Sequence, residues 1–204
     1  MNFLFTSPSV EDLIRLLRAW RFWVLGALLG ALLGTAFYYF VPPPYRVKAT
    51  VNVDFNLEEA WPQEVDRQQF YYLERESRKL EEIAWSDEIM SQLSSEFAIP
   101  VEDLRSKKLH LGQPAEAGWH FYADDNNAQA AEQLASAWAE AFVVKVQSDV
   151  QSGNINKFVK LELTQAQNLP EQRSISLGEY MLAGSMSLLT LAAFIILFTK
   201  PKNK

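Results

Sequence analysis

The residues best equipped for chemistry lie close together in the chain. His110 sits in LHLGQ and His120 in GWHFYAD, with Asp124 and Asp125 just after. Imidazole and carboxylate together serve metal ligation and general acid–base catalysis. The two segments predict a hairpin bridged by the turn-rich Pro114-Ala115-Glu116-Ala117, and the histidines would face each other across it. A metal site needs further ligands, and none accompany the pair at a recognisable spacing. Hairpin packing accounts for both histidines without a ligand. Asp124 and Asp125 precede a helical pattern, where carboxylates are favoured by the helix dipole alone. No glycine-rich phosphate loop, nucleophile elbow or paired metal motif occurs. The chain has no cysteine, which excludes disulfides, thiolate–zinc sites and thiol catalysis. These residues therefore predict no catalytic, cofactor-binding or metal-binding site, no cofactor, and a protein that is not an enzyme. Trp119, Phe121 and Tyr122 offer faces on which a sugar can stack, but an aromatic strand beside a helix equally builds a core.

The elements that carry these residues are read from period and punctuation. YRVKATVNVDF alternates: Tyr45, Val47, Ala49, Val51, Val53 and Phe55 point one way, and the charged and polar residues between them point the other. That is a strand with one buried face. From Pro62 to Trp85 the period becomes helical, with Val65, Phe70, Leu73, Leu80 and Ile83 as an intermittent apolar stripe. Ser86 is the expected N-cap of a following helix that Pro100 closes. A helix from Ala128 to Ser152 has the clearest pattern, with Asn127 as its cap, Gly153 as its stop, and Ala131, Leu134, Trp138, Ala141 and Phe142 on one face. FVKLELTQA, residues 158–166, alternates again and predicts a last strand.

Two uncharged runs of twenty residues bracket all of this, Phe22–Val41 and Tyr180–Thr199. At about 1.5 Å rise per residue, each is long enough as a helix to cross the roughly 30 Å hydrocarbon core of a bilayer. Trp20, Trp23, Tyr38 and Tyr39 flank the first run where amphipathic rings favour an interface. No small-x-small cleavage site follows it, only aromatics and Pro42-Pro43-Pro44, which predicts an uncleaved anchor. Residues 1–21 and 200–204 hold Arg15, Arg18, Arg21, Lys200, Lys202 and Lys204 against Glu11 and Asp12, whereas residues 42–179 carry 13 basic and 23 acidic side chains. Basic flanks stay in the cytoplasm. The expected protein is thus a membrane protein in which two transmembrane helices (22–41 and 180–199) flank an exported α/β (α+β) domain (42–179). That domain holds a small mixed sheet and several helices. A cytoplasmic segment (1–21) and tail (200–204) complete the chain, and the acid excess argues against a nucleic-acid partner.

Within residues 1–21, Ser9 with Asp12 resembles a capping box. Val10, Leu13, Ile14 and Leu17 share a face that is either a dock for a cytoplasmic partner or an interfacial helix in contact with lipid. Gly26, Gly30 and Gly34 at i, i+4, i+8 let another helix approach closely, and Ala183-x-x-x-Ser187 offers a small-residue counterpart. Packing of the two spans within one chain and packing between chains in a homo-oligomer both fit.

The order of elements resembles the Wzz-type chain-length determinant family, the polysaccharide co-polymerases of bacterial cell envelopes. The first point of similarity is VEDLIRLLRAWRFWVLGALLGALLG running into Pro44-Tyr45 and the alternating strand. The second is WHFYADDNNAQAAEQLASAWAEAF, which looks like the family's strand, capped start and Ala-rich helix. Here Asn127 and Ala128 stand at the family's Asp-Pro cap, and Ala135-Ser136 at its Ala-Asn pair. The third is the stretch before the last span, where Pro170 stands in place of several prolines. Gly153 and Asn154 turn the chain where many members insert a long helical protrusion, and the short tail leaves no room for a fused tyrosine-kinase domain. The resemblance implies a two-pass bacterial inner-membrane protein, both termini cytoplasmic, that forms a homo-oligomer. Its expected partners are membrane lipid and a polysaccharide polymerase or export machinery. It would regulate the chain length or export of O-antigen, capsule or exopolysaccharide. An adaptor for a separate cytoplasmic kinase, engaging residues 1–21 and Lys200–Lys204, and a structural envelope interaction protein are the other expectations.

Overall fold

The computed structural model of the chain describes residues 10–60, 66–112, 118–166 and 169–198. The expected cap at Ser9, the helix start at Pro62 with Val65, the turn Pro114–Ala117, Thr199 and the lysine tail lie outside them. In chain order the elements are α1 (Val10–Arg18), α2 (Trp20–Phe40), β1 (Tyr45–Asp54), α3 (Leu57–Ala60), α4 (Asp66–Ala84) and α5 (Asp87–Phe97). They continue with a single turn α6 (Val101–Asp103), β2 (Leu109–Gly112), β3 (Trp119–Asp125), α7 (Ala128–Gln151), β4 (Lys160–Gln165), β5 (Gln172–Arg173) and α8 (Leu177–Phe198). Two compact units result: Met1–Pro43 with Ile175–Lys204, and Pro44–Ser174.

The first unit is the pair α2 and α8, each long and apolar enough to cross a membrane, with α1 resting against α8. Ala19 separates α1 from α2: its ψ of 23° leaves the helical range, and the Trp23 indole N–H donates to the Leu16 carbonyl at 2.8 Å. The Leu16 carbonyl also accepts from the Ala19 amide at 3.1 Å, so the end of α1 is tied to the first turn of α2 through one acceptor.

The second unit is one sheet with helices on one face. Strand order is β2-β3-β1-β4, and β5 pairs with the start of β1 on the β4 side. Every adjacent pair is antiparallel, which corrects the expected mixed sheet. The crossover β3–α7–β4 does make two parallel strands, but β1 lies between them and runs the other way. Val47, Ala49, Val51 and Val53 face inward as the alternation predicts. The register shifts between Thr50 and Val51, so β4 covers only Thr50–Asp54 and leaves the first residues of β1 to β5.

Against that face α7 buries Ala131, Leu134, Ala135, Trp138, Ala139, Phe142 and Val146. Trp119 stacks on Phe142 with ring centroids 5.6 Å apart, and Phe121 meets Trp138 edge-on at 4.9 Å. The Trp138 indole donates to the Ala84 carbonyl at 2.9 Å, which binds the end of α4 to the core. Asn127 accepts from the Gln129 and Ala130 amides, so α7 starts where the sequence places it. Gly153 at φ +82° turns the chain, and no helix intervenes before Lys160.

Three local expectations are corrected. The buried stripe of α4 is Tyr72, Glu76, Leu80 and Ala84, spaced by four, while Phe70 is exposed. Glu76, only 1% exposed, accepts from Arg75 Nε and Lys79 Nζ and from the Asn156 amide, which pins the turn after α7. A buried glutamate hides such a stripe from a hydrophobicity pattern. Ser86 occupies the N-cap position of α5, but its hydroxyl caps no amide. Helix α5 ends at Ala98 in the left-handed region, before Pro100 acts.

Candidate functional site

Three arrangements hold the residues that the sequence singles out. The first is the seam between α2 and α8. Gly30 and Gly34 are the buried residues of α2. A Cβ on Gly30 would lie 2.6 Å from Ser185 Cα, and one on Gly34 2.8 Å from the Tyr180 carbonyl carbon. Real Cβ atoms do not come so close, so the two backbones touch through these glycines. Gly26 differs: its Cβ would meet Leu188, Leu189 and Ala192 at ordinary contact distances of 3.7–3.8 Å. The partner on α8 is Gly184, whose own Cβ would strike the Gly30 carbonyl, while the Ser185 hydroxyl donates to the Ala27 carbonyl at 3.0 Å. Ala183 and Ser187, the expected counterpart, instead line a shallow apolar groove of about 510 Å³ beside the seam. The Ser187 hydroxyl returns to the Ala183 carbonyl of its own helix. Three consecutive small residues, Ala183-Gly184-Ser185, leave the rotation of α8 open in sequence, and the close backbone approach selects the glycine. Tyr38 and Tyr180 close one end of the seam, rings edge-on at 5.6 Å.

The second arrangement is a latch where the chain enters and leaves the sheet unit. The Pro44 carbonyl accepts from the Ser174 amide at 2.9 Å. Beside it the Arg173 guanidinium lies 3.7 Å above the Tyr45 ring and donates to the Tyr45 hydroxyl at 2.9 Å. The Pro-Tyr pair thus holds the first and last residues of the unit side by side. Strand β5, which supplies Arg173, is too short to show a period and has no signal in the sequence. The remaining motif positions tie α7 to the segment ahead of the latch. Ala135 is fully buried, the Ser136 hydroxyl donates to the Ala166 carbonyl, and Glu132 accepts from the Leu169 amide at 3.2 Å. Pro170 follows, exposed.

The third arrangement is the sheet face that α7 does not touch. It is polar, as the alternation predicts. Asp124, 8% exposed, accepts a bidentate pair from Arg46 at 2.7 and 2.6 Å, and His110 Nε2 lies 3.3 Å from its second oxygen. Asp124 therefore belongs to a cross-strand ion pair and not to the α7 dipole, which corrects that expectation. The hydrogen bond with Asp124 outweighs partial burial and raises Arg46 above its already high pKa, so the guanidinium stays charged. The histidines do not face each other: His110 pairs with Tyr122, and Gly112 with His120. The hairpin register is offset from the one that would oppose them. His120 shares a hydrogen bond with Thr50 at 3.2 Å. Burial, then the charge of Lys48, pushes its pKa down. Asp125 accepts from Lys108 Nζ at 2.6 Å and from the Asn127 amide at 2.9 Å.

No protein-family model matches the chain, and no curated protein is similar to it.

Chemically, the contacts described in these three arrangements are packing contacts, hydrogen bonds and ion pairs. Among the described residues no three His, Asp or Glu side chains gather as a metal site would require. Trp119 and Phe121 are spent in the core, and Tyr122, beside His120, is the aromatic that reaches the open face. The Arg46–Asp124 pair leaves no local signal in the sequence because it joins residues far apart in the chain, and only the strand register brings them opposite one another. Alternation alone could have placed both on the polar face.

Proposed function

We propose that this protein is a non-enzymatic, two-pass membrane regulator of envelope polysaccharide chain length or export that works as an oligomeric co-polymerase of the Wzz type. One observation carries the reading, the order in which the chain is built. An apolar helix runs through Pro44-Tyr45 into a strand. An antiparallel sheet follows, backed by an Ala-rich helix with an Asn127 cap. The chain then returns beside its own entry point to a second apolar helix. Two helices of that length and composition are compatible with two membrane crossings. The basic residues outside them favour cytoplasmic termini and an exported sheet unit. The latch and the glycine seam supply what such a scaffold needs: ends held together and helices that pack closely. No step of the proposed role requires a catalytic group.

Deleting the gene and resolving the surface glycan on a gel tests this reading. The expected result is a changed distribution of chain lengths, restored by the wild-type gene. An unchanged distribution would overturn it.

A further inference from the structure

Helix α1 has an apolar stripe that the protein itself leaves uncovered. Val10 is 73% exposed, Ile14 51% and Leu17 77%. At 100° per residue these positions lie on one face. The stripe is held in a fixed relation to α2, because the helix breaks at Ala19 and the Trp23 indole clasps the Leu16 carbonyl. Charge is sorted along the segment. Glu11 and Asp12 occupy its start, and Arg15, Arg18 and Arg21 its end next to α2, where Trp20 and Phe22 are also exposed. Arg21 sits 5.8 Å from the centre of the Trp20 ring. Apolar stripe, arginines and indoles at the mouth of a membrane-length helix match one solvent, the boundary between headgroups and acyl chains. There rings and aliphatic residues sink and guanidinium groups bind phosphate.

We propose that α1 lies on the bilayer surface, its Val10–Ile14–Leu17 stripe in the headgroup–acyl boundary and its Arg18–Arg21 end on anionic phospholipid headgroups. This rests on the membrane anchoring in the function proposed above. It adds that the segment before the first span reads lipid charge. A cytoplasmic protein partner is the rival occupant, and purified protein in vesicles contains none.

The chain's lack of cysteine makes the test direct. Leu17→Cys, Asp12→Cys and, in α2, Leu28→Cys are each labelled with an environment-sensitive fluorophore in the full-length protein. The labelled proteins are reconstituted into vesicles of phosphatidylcholine alone or mixed with phosphatidylglycerol, with spin-labelled lipids as quenchers. The expected result is a blue-shifted, lipid-quenched label at 17 and a water-exposed label at 12. Quenching at 17 should be stronger with phosphatidylglycerol and fall to the phosphatidylcholine level when Arg18 and Arg21 become Gln. A label at 17 that stays in water while the label at 28 is quenched overturns the proposal, leaves the spans standing and gives the stripe to a protein partner. Quenching at 17 that ignores both phosphatidylglycerol and the arginine substitutions overturns the headgroup assignment. A label at 28 that is not quenched overturns the membrane anchoring itself, and this proposal with it.

Discussion

The two units of this chain are packed by opposite means. In the sheet unit the largest side chains are innermost: Trp138, Phe121 and Phe142 meet ring to ring under β1 and β3, and the buried carboxylates Glu76 and Asp124 are both ion-paired. In the helix pair the large residues Leu28, Leu32, Phe37 and Phe194 face outward, and the contact is made by Gly30, Gly34 and Gly184. Water explains the first arrangement, since burying apolar surface gains about 25 cal/mol per Å². In lipid that gain disappears, because the tails are as apolar as leucine, and helices associate through close backbone contact and hydrogen bonds. The Ser185–Ala27 hydrogen bond and the glycine seam are such contacts. The two modes of packing are what the proposed membrane function asks of one polypeptide in two solvents, and the boundary between the units falls at Pro44 and again at Ser174.

Substitutions that tell the two kinds of packing apart should rank as follows. Trp138→Ala empties the centre of the sheet unit and frees the Ala84 carbonyl, at a cost of roughly 3–5 kcal/mol. Thermal unfolding followed by near-ultraviolet circular dichroism should show the aromatic signal lost first, with α2 and α8 still paired. Gly30→Leu should leave the aromatic signal unchanged and part the helices, costing roughly 1–3 kcal/mol or more of helix pairing. A built-in reporter exists: a Cβ at position 26 would lie 3.8 Å from the Ala192 Cβ, the spacing of a relaxed disulfide. Gly26→Cys with Ala192→Cys should therefore cross-link on oxidation, and the added Gly30→Leu should abolish the bond.

On the polar sheet face, Arg46→Met leaves the sheltered Asp124 carboxylate without its bidentate partner, a loss of roughly 1–3 kcal/mol. Adding Asp124→Leu should recover part of the loss, since removing both charges is cheaper than stranding one. Denaturant midpoints measure both. The smallest effect is on pH. His120 has a folded-state pKa below its ordinary 6.5, so between the two values the unfolded chain binds more protons. Stability should fall slightly as pH drops through that window, and His120→Gln should flatten the slope. Asp125 acts in a separate, more acid window. Burial raises its pKa, but the Lys108 hydrogen bond and the Asn127 amide outweigh it and hold the group below 3.8. Its contribution persists above that value and fades only below it.

Much of the fold is legible in the sequence where one solvent face imposes a period. Strand β1, helix α7 with its Asn127 cap and Gly153 stop, and both apolar helices follow directly from pattern. What the pattern cannot carry is register and rotation. The histidines miss each other through a hairpin offset, Asp124 finds Arg46 across strands, and Gly184 rather than Ala183 meets Gly30. Glu76 sits in the buried phase of α4 and breaks its stripe. Of the residues singled out in the sequence, Gly30, Gly34, Pro44, Tyr45 and Ser136 all make specific contacts, and what those contacts consist of appears only in three dimensions.

In the proposed function, the working form of the protein depends on the glycine seam, and this dependence can be broken at one residue. It is tested most directly by complementing a deletion strain with wild type, Gly26→Ala or Gly30→Leu, each present in the membrane in equal amount, and resolving the surface glycan on a gel. A methyl at position 26 meets only ordinary contacts, whereas a side chain at position 30 strikes backbone. The prediction is that wild type and Gly26→Ala restore the same distribution of chain lengths and Gly30→Leu does not. Full restoration by Gly30→Leu would contradict it.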